Sequence, residues 1–168
     1  MAEAIGPGAR RLVLLVDNDV ASRRQAREML ERRGLDVVQA SNGMAALELI
    51  QRLPDSFRLV VADVSLPGLS GRVVIETLRL FRPDLPVICM AASLVVAGAI
   101  MRCLSKPLQH SELDAVLAEM ANGWAPPAAL EVPQSVVQRA RQRFALAGDL
   151  VEAAIELSAR ETPTSEAD

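Results

Sequence analysis

The hydrophobic positions of the chain fall into two patterns that alternate from residue 11 onward. Short continuous apolar runs, such as "RLVLLV", are typical of strands buried on both faces, whereas apolar residues that recur every three or four positions are typical of helices. This alternation predicts a doubly wound α/β domain, with a parallel sheet of five strands between layers of helices and right-handed crossovers. The predicted strands are residues 11–16, 35–40, 57–63, 85–91 and 100–105, and the predicted helices are residues 20–33, 43–53, 72–81 and 112–121.

Cap and stop residues support the predicted helix boundaries. Gly34 follows the first helix at the position where a left-handed residue ends many helices. Ser41 and Ser111 are predicted as the N-terminal caps of the second and the last helix. Pro54 and Pro83 follow the second and the third helix, which neither proline could continue.

The chain continues beyond this α/β domain. The predicted divisions are a disordered start at residues 1–10, the domain at 11–122, a linker at 123–133, a helical extension at 134–160 and a disordered end at 161–168. The extension predicts two short helices, with Asp149 as the cap of the second, and resembles the turn of a tetratricopeptide helical pair. One such pair cannot bury its own apolar face, so it needs a surface to pack on.

Charge and composition exclude several classes of protein. The 21 acidic residues outnumber the 18 basic ones and no basic run occurs, so the chain lacks the electrostatic pattern of a nucleic-acid-binding protein. No apolar stretch approaches the roughly 20 residues that cross a membrane, and the first apolar run ends at Asp17, too early for a signal peptide. We therefore expect a cytoplasmic protein with no nucleic-acid or membrane partner. Cys89 and Cys103 lie in apolar runs and are expected to be buried, reduced thiols.

Charged and polar residues follow three of the predicted strands at the point where each strand ends. Asp17 and Asn18 follow the first strand, Asp63 closes the third, and Lys106 follows the fifth. In a parallel sheet these carboxyl ends share one edge, where ligands bind. Oxygen ligands of this kind suit Mg²⁺, and a lysine ammonium is a point charge that can hold a phosphoryl oxygen. Lys106 is the only lysine of the chain, and arginine would offer a planar fork instead.

These residues and their order resemble a response-regulator receiver domain. The resemblance rests on "LVLLVDNDVASRRQAREML", "LVVADVSLPGLSG", "LPVICMAAS" and "CLSKPL", and covers about residues 11–122. It implies a flavodoxin-like fold with strand order 2-1-3-4-5 and a site in which Asp63 accepts a phosphoryl group. It also implies that Asp17, Asn18 and Asp63 hold Mg²⁺ and that Lys106 contacts the phosphoryl group. The implied activity is to take that group from a histidine kinase or a phosphotransfer protein, as an acceptor and not as an enzyme that turns over.

Three positions depart from the pattern of that family. Asn18 stands where a second carboxylate is usual, so the charge that attracts Mg²⁺ is smaller. Ala91 stands at the end of the fourth strand, where the family has a switch residue whose hydroxyl bonds the phosphoryl oxygen. The aromatic switch position of the family falls on Arg102 or Cys103, and neither is aromatic. The part that binds therefore resembles the family more closely than the part that transmits the signal.

The connection between the fourth and fifth strands is also shorter than in the family. Only "ASLVVAGAI" separates them, whereas a parallel crossover normally needs about a dozen residues or more, usually with a helix. We therefore expect the crossover helix to be missing or reduced, which leaves an apolar gap on one face of the sheet. The C-terminal helices could fill that gap in the same chain or from a dimer partner, through Val136, Val137, Ala140, Phe144, Leu150, Ile155 and Leu157.

Three functional hypotheses remain. The preferred one is a phospho-accepting response regulator, whose output is contact with a downstream protein or a second copy of itself. The second is a pseudo-receiver, an interaction module that phosphorylation does not switch, which Asn18 and Ala91 favour. The third is a haloacid-dehalogenase-type phosphatase, because Asp17 and Asp19 lie two apart after a strand. That family needs Thr or Val where Ala21 stands, and it needs a further acidic motif at a strand end, so this hypothesis is the weakest.

Overall fold

The computed structural model describes residues 12–83, 85–92 and 102–123, together with Val151, Ala154, Ile155 and Ala159. The strands are β1 Leu12–Val16, β2 Asp36–Ala40, β3 Phe57–Asp63, β4 Val87–Ala91 and β5 Cys103–Ser105, and the helices are α1 Val20–Glu31, α2 Gly43–Arg52, α3 Gly71–Phe81 and α4 His110–Ala121. Strands and helices alternate in the order that the hydrophobic pattern predicts.

The five strands form one parallel sheet in the order β2-β1-β3-β4-β5. This order confirms the predicted doubly wound, flavodoxin-like arrangement. The register places Val16, the last residue of β1, opposite Ala40 on one side and Ala62 on the other. Because these strands finish nearly level, the residues that follow them meet at one edge of the sheet.

Alternate residues of each strand face opposite sides of the sheet. Val60 and Ala62 belong to a buried cluster with α2 and α3, and this side is called the α2–α3 face. Leu59 and Val61 belong to a second cluster with α1 and α4, which defines the α1–α4 face. Burial on both faces explains why the central strands β1, β3 and β4 read as nearly continuous apolar runs in the sequence.

Two helix caps differ from the predicted ones. Asn42, and not Ser41, caps α2, because its side chain accepts a hydrogen bond of 2.8 Å from a backbone N–H in the first turn. Both residues have cap chemistry, so the sequence alone does not decide between them. α4 begins at His110, before the predicted cap Ser111, and its capping residue Gln109 makes no side-chain hydrogen bond to the helix. A glutamate in the first turn of α4 instead bonds back to β5, as described below.

The two cysteines are neighbours in the sheet. Cys89 on β4 lies directly opposite Cys103 on β5, with 4.4 Å between their Cα atoms. Cys89 is buried in the cluster of the α2–α3 face and Cys103 packs against the same cluster. The register of β4 against β5 creates this pair, and the spacing of the cysteines in the sequence does not reveal that register.

Several predicted segments lie outside the described residues. These segments are the N-terminal residues 1–10, the short crossover, most of the linker, the first C-terminal helix and the end of the chain. Within the predicted helix 149–160, the described residues Val151, Ala154, Ile155 and Ala159 are helical. None of the described helices is long and apolar enough to cross a membrane.

Candidate functional site

Three charged side chains converge at the carboxyl edge of the sheet. Asp17 directly follows β1, Asp63 is the last residue of β3, and Lys106 directly follows β5. The Lys106 Nζ atom donates hydrogen bonds to Asp17 Oδ2 at 2.9 Å and to Asp63 Oδ2 at 2.6 Å. The structure therefore brings together, as the sequence predicts, residues that lie 89 and 43 positions apart in the chain.

This triad is largely removed from water. The side chain of Asp17 is 0% exposed, that of Asp63 is 6% exposed and that of Lys106 is 18% exposed. Buried ions are tolerated when they are paired and hydrogen-bonded, and one ammonium here serves two carboxylates. Two negative charges and one positive charge leave one negative charge without a partner in the pocket.

The two carboxylates determine the charge state of Lys106. Its burial alone would lower the pKa of the ammonium, but hydrogen bonds to Asp63 and Asp17 and the attraction of both charges outweigh burial, and the pKa is raised from 10.5. Because the pKa is raised in the folded state, the stabilisation is present at neutral pH and is lost only as the pH rises through this raised pKa. Lys106 is therefore a permanent cation under physiological conditions.

Asp17 is held by the beginning of α1 as well as by Lys106. The backbone N–H of Asp19 donates to Asp17 Oδ1 at 2.9 Å, and the Ser22 hydroxyl donates to Asp17 Oδ2 at 2.6 Å. Arg23 donates to the backbone carbonyl of Asp17 at 2.6 Å. Sequence reasoning missed Ser22, whose only signal was its position in the first turn of a helix that starts at the site.

The Asp63 carboxylate accepts fewer hydrogen bonds than the Asp17 carboxylate does. Its Oδ1 atom accepts one hydrogen bond from the backbone N–H of Ser65 at 2.8 Å, and its Oδ2 atom accepts the bond from Lys106. Gly71, the first residue of α3, packs against the end of β3 so closely that a Cβ atom there would overlap the Asp63 carbonyl oxygen. Glycine is therefore required where α3 approaches the site, a role that sequence reasoning did not assign.

Asn18 and Ala91 complete the set of predicted site residues. Asn18 follows Asp17 directly and is exposed at the edge of the pocket. Ala91 ends β4, which lies between β3 and β5, and it is 1% exposed. The backbone N–H of Lys106 donates to the Ala91 carbonyl at 3.0 Å. The strand end between the two charged ones therefore carries no side-chain hydroxyl.

A glutamate of α4 anchors the strand end that carries Lys106. Glu112 Oε2 accepts hydrogen bonds from the backbone N–H of Ser105 at 3.0 Å and from its hydroxyl at 2.6 Å. These two bonds, the hydroxyl first, lower the pKa of the Glu112 carboxyl. The Lys106–Pro107 peptide bond that follows is cis. Glu112 is a second residue that sequence reasoning missed.

The match to a known family agrees with this geometry. Residues 13–118 match the family model described as the response regulator receiver domain. The chain belongs to this family. Receiver domains act in two-component signal transduction.

Similar curated proteins are longer than this receiver. It is 32% identical over 142 residues to the response regulator protein FleR of Pseudomonas aeruginosa, which covers 80% of this chain and 30% of FleR. It is 36% identical over 110 residues to the CpxR homologue of Haemophilus influenzae, a transcriptional regulatory protein, which covers 60% of this chain and 46% of that protein. The receiver thus spans less than half the length of these two relatives.

Solved receiver domains have the same fold. A response regulator receiver domain protein of Clostridium thermocellum superimposes with a TM-score of 0.58 at 22% identity, over 66% of this chain and 94% of that one. The chemotaxis protein CheY4 of Vibrio cholerae gives a TM-score of 0.57 at 22% identity, over 66% and 98% of the two chains. At this level of identity the similarity establishes the fold.

The pocket of this receiver fits a divalent cation. Receiver domains generally bind Mg²⁺ at their acidic pocket, and the unpaired negative charge beside Asp17 and Asp63 would attract it here. In the described part of the chain, no group of three or more His, Cys, Asp or Glu could hold a metal ion. The acidic side chains that a cation would meet in this pocket are those of Asp17 and Asp63. A ligand set this small suits Mg²⁺, which keeps several of its waters.

Glu112→Gln should lower the free energy of unfolding at neutral pH by about 1 kcal/mol, because a neutral amide bonds Ser105 more weakly than a carboxylate does. A carboxyl whose pKa is lowered by folding contributes stability above its ordinary pKa of 4.5, and this stability is lost as the pH falls through the folded value. The difference between variant and wild type should therefore shrink in acid. Urea unfolding at about pH 7 and about pH 4 measures it.

Glu48→Gln is the matched control for that experiment, because Glu48 is exposed on α2. We expect it to change the free energy of unfolding by less than about 0.5 kcal/mol at either pH. An equal loss in Glu112→Gln at both pH values would contradict a role for the Glu112 charge.

Proposed function

We propose that this receiver accepts a phosphoryl group on Asp63, which a histidine kinase or a phosphotransfer protein supplies. The single observation that carries this proposal is the Lys106 ammonium, which lies 2.6 Å from Asp63 Oδ2 and 2.9 Å from Asp17 Oδ2 at the carboxyl edge of the sheet. This places a fixed positive charge beside the carboxylate that would receive the group.

The contacts of the two aspartates support Asp63 as the acceptor. The Asp17 carboxylate is fully buried and accepts hydrogen bonds from Asp19, Ser22 and Lys106. The Asp63 carboxylate accepts only two hydrogen bonds among the described residues. A carboxylate with fewer hydrogen bonds is the better nucleophile, because less hydrogen bonding must be given up before it attacks.

The proposed transfer is a single displacement at phosphorus. A carboxylate oxygen of Asp63 forms the new P–O bond while the P–N bond to the donor histidine breaks, and the imidazole nitrogen keeps the electron pair. Lys106 then holds a phosphoryl oxygen, a position for which a compact ammonium is suited. Mg²⁺, held by Asp17, Asn18 and Asp63, would neutralise charge on the phosphoryl oxygens. The protein acts as an acceptor and not as an enzyme that turns over.

The altered switch positions favour a second candidate function. Ala91 is buried and has no hydroxyl for a phosphoryl oxygen, and Asn18 reduces the charge that attracts Mg²⁺. Both features suit a pseudo-receiver that binds partners without being switched by phosphorylation. The phosphatase hypothesis is not proposed further, because the chain belongs to the receiver family. In either function we propose output by contact with a protein, in the cytoplasm, without a nucleic-acid or membrane partner.

Amide NMR spectra with Mg²⁺ and beryllofluoride test the two functions. We expect saturating shifts at Asp63, Ala91 and Lys106 in the wild type, because the phosphoryl analogue occupies the space that these residues enclose. Asn18→Asp is the matched variant. We expect this variant to bind Mg²⁺ on the order of tenfold more tightly, because the added carboxylate increases the negative charge at the site. A tenfold change corresponds to about 1.4 kcal/mol of binding free energy.

The outcomes separate the candidates. Shifts in the wild type that are absent from Asp63→Asn support phosphoryl acceptance. An absence of shifts at high ligand concentration in both the wild type and Asn18→Asp would leave only the pseudo-receiver.

A further inference from the structure

The α2–α3 face extends beyond the two helices that define it. α2 packs mainly on β1 and β2, and α3 packs mainly on β3 and β4. The same face continues across β4 and β5 with Cys89, Ala91 and Cys103. Cys89 and Ala91 are each 1% exposed, so another part of the molecule covers them.

The chain between β4 and β5 is short. Only residues 92–102 connect the end of β4 to the start of β5. A parallel crossover normally needs about a dozen residues or more. A connection of this length leaves room for another segment of the chain to bury part of this end of the face.

Residues near the C-terminus have the burial pattern of a docked helix. Ala154 is 0% exposed and belongs to the same buried cluster as Cys89 and Ala91, and Val151 packs against that cluster. Positions three apart lie on the same side of a helix. Ile155, the next residue, is 52% exposed. The side of this helix that carries Ala154 is therefore buried in the core of the receiver, and Ile155 lies at the exposed margin of that side.

The connection is long enough to dock in the same chain. α4 lies on the α1–α4 face and is described to Gly123, and residues 124–150 separate it from Val151. β5 is the edge strand of the sheet, so the chain can pass around that edge without threading a loop. Layers that pack on a sheet lie only about 10 Å from it, which this length of chain spans easily.

We propose that the β4–β5 part of the α2–α3 face is an intramolecular docking surface and that its occupant is the C-terminal helix around Val151 and Ala154. This helix packs in the same layer as α2 and α3. Ala154 fits this role because a small side chain lets the helix approach the small residues Cys89 and Ala91. A protein partner that binds this side of the receiver then contacts the C-terminal helix.

A pair of adjacent substitutions tests the docking. Ala154→Arg forces a long charged side chain into the core cluster, whereas Ile155→Arg adds the same charge one position along, on the exposed side. Hydrogen–deuterium exchange of the full chain is the measurement. We expect Ala154→Arg to accelerate exchange at least about tenfold in residues 151–159 and in β5, and Ile155→Arg to leave both within about twofold of the wild type.

The same measurement on the wild type provides a second, independent arm. Residues 151–159 should exchange more slowly than an unstructured chain. Sedimentation first establishes that the sample is monomeric. The protection of residues 151–159 should then be the same at every protein concentration measured. If only Ala154→Arg fails to fold, the result also supports docking, because the control carries the same charge. Equal effects of the two variants, unprotected residues 151–159, or protection that grows with concentration would each overturn the proposal.

Discussion

Asp63→Asn is expected to reduce uptake of a phosphoryl group from acetyl phosphate or from a kinase to background, a loss on the order of a hundredfold or more. An amide oxygen is a poor nucleophile and cannot form the acyl phosphate. The change should not unfold the protein, because Lys106 keeps its 2.9 Å bond to Asp17 and the pocket loses its unpaired negative charge. Intact-protein mass spectrometry after incubation with Mg²⁺ and acetyl phosphate measures the uptake.

Asp19→Asn is the matched control for this result. Asp19 lies at the same strand end and caps α1 by accepting a hydrogen bond from the backbone N–H of Ser22 at 2.6 Å. Asparagine caps helices about as well as aspartate, so fold and uptake should both be preserved. Unchanged uptake in Asp63→Asn would place the acceptor at another residue, and peptide mapping of the phosphorylated protein would then identify it.

The sequence predicts the fold well because the pattern of the strands is unambiguous. The central strands β1, β3 and β4 are largely buried on both faces, so each reads as a continuous apolar run, and β3 has the bounds that were predicted. Once the strand order follows the family, the residues at the carboxyl ends must meet. Asp17, Asp63 and Lys106 could therefore be assigned to one site without a structure.

The partners that hold these residues in place were harder to predict. Ser22 acts through one hydrogen bond and Glu112 through two, and the geometry of these bonds depends on where α1 and α4 start. Serine and glutamate are common in the first turns of helices, so their presence does not distinguish a site from an ordinary helix end. The cap of α2 was misplaced by one residue for the same reason, because Ser41 and Asn42 have similar chemistry.

Contacts that depend on register were not predictable. A shift of β5 against β4 by one residue would separate Cys89 from Cys103, and nothing in the two apolar runs fixes that register. The burial of Ala154 could not be predicted either, because it depends on how a helix near the C-terminus packs on a strand far away in the sequence. The hypothesis of a gap filled by the C-terminal helices named Ile155 as a contact, whereas Ile155 is exposed and its neighbour Ala154 is buried.

Replacement of Lys106 should have the largest effect on stability. In Lys106→Met, Asp17 and Asp63 remain buried at one edge of the sheet without a counter-ion, and removing one partner of a buried ion pair is strongly destabilising. Because the Lys106 side chain is 18% exposed, we expect a loss of about 2–3 kcal/mol in the free energy of unfolding at neutral pH. Lys106→Arg keeps the charge and should lose less than about half of that. Urea unfolding curves at fixed ionic strength measure both variants.

Two additions identify the cause of the Lys106 effect as the unpaired carboxylates. Mg²⁺ should stabilise Lys106→Met more than it stabilises the wild type, because the cation then has no ammonium to compete with. The double variant Lys106→Met with Asp63→Asn should recover part of the loss, because one of the two unpaired charges is gone. A contrary result is that neither Mg²⁺ nor the second substitution reduces the loss in free energy of unfolding of Lys106→Met. That result would mean that the aliphatic part of Lys106 stabilises this edge by packing and that its charge does not. Recovery in both cases would establish the single lysine of this receiver as the counter-ion of its acidic pocket.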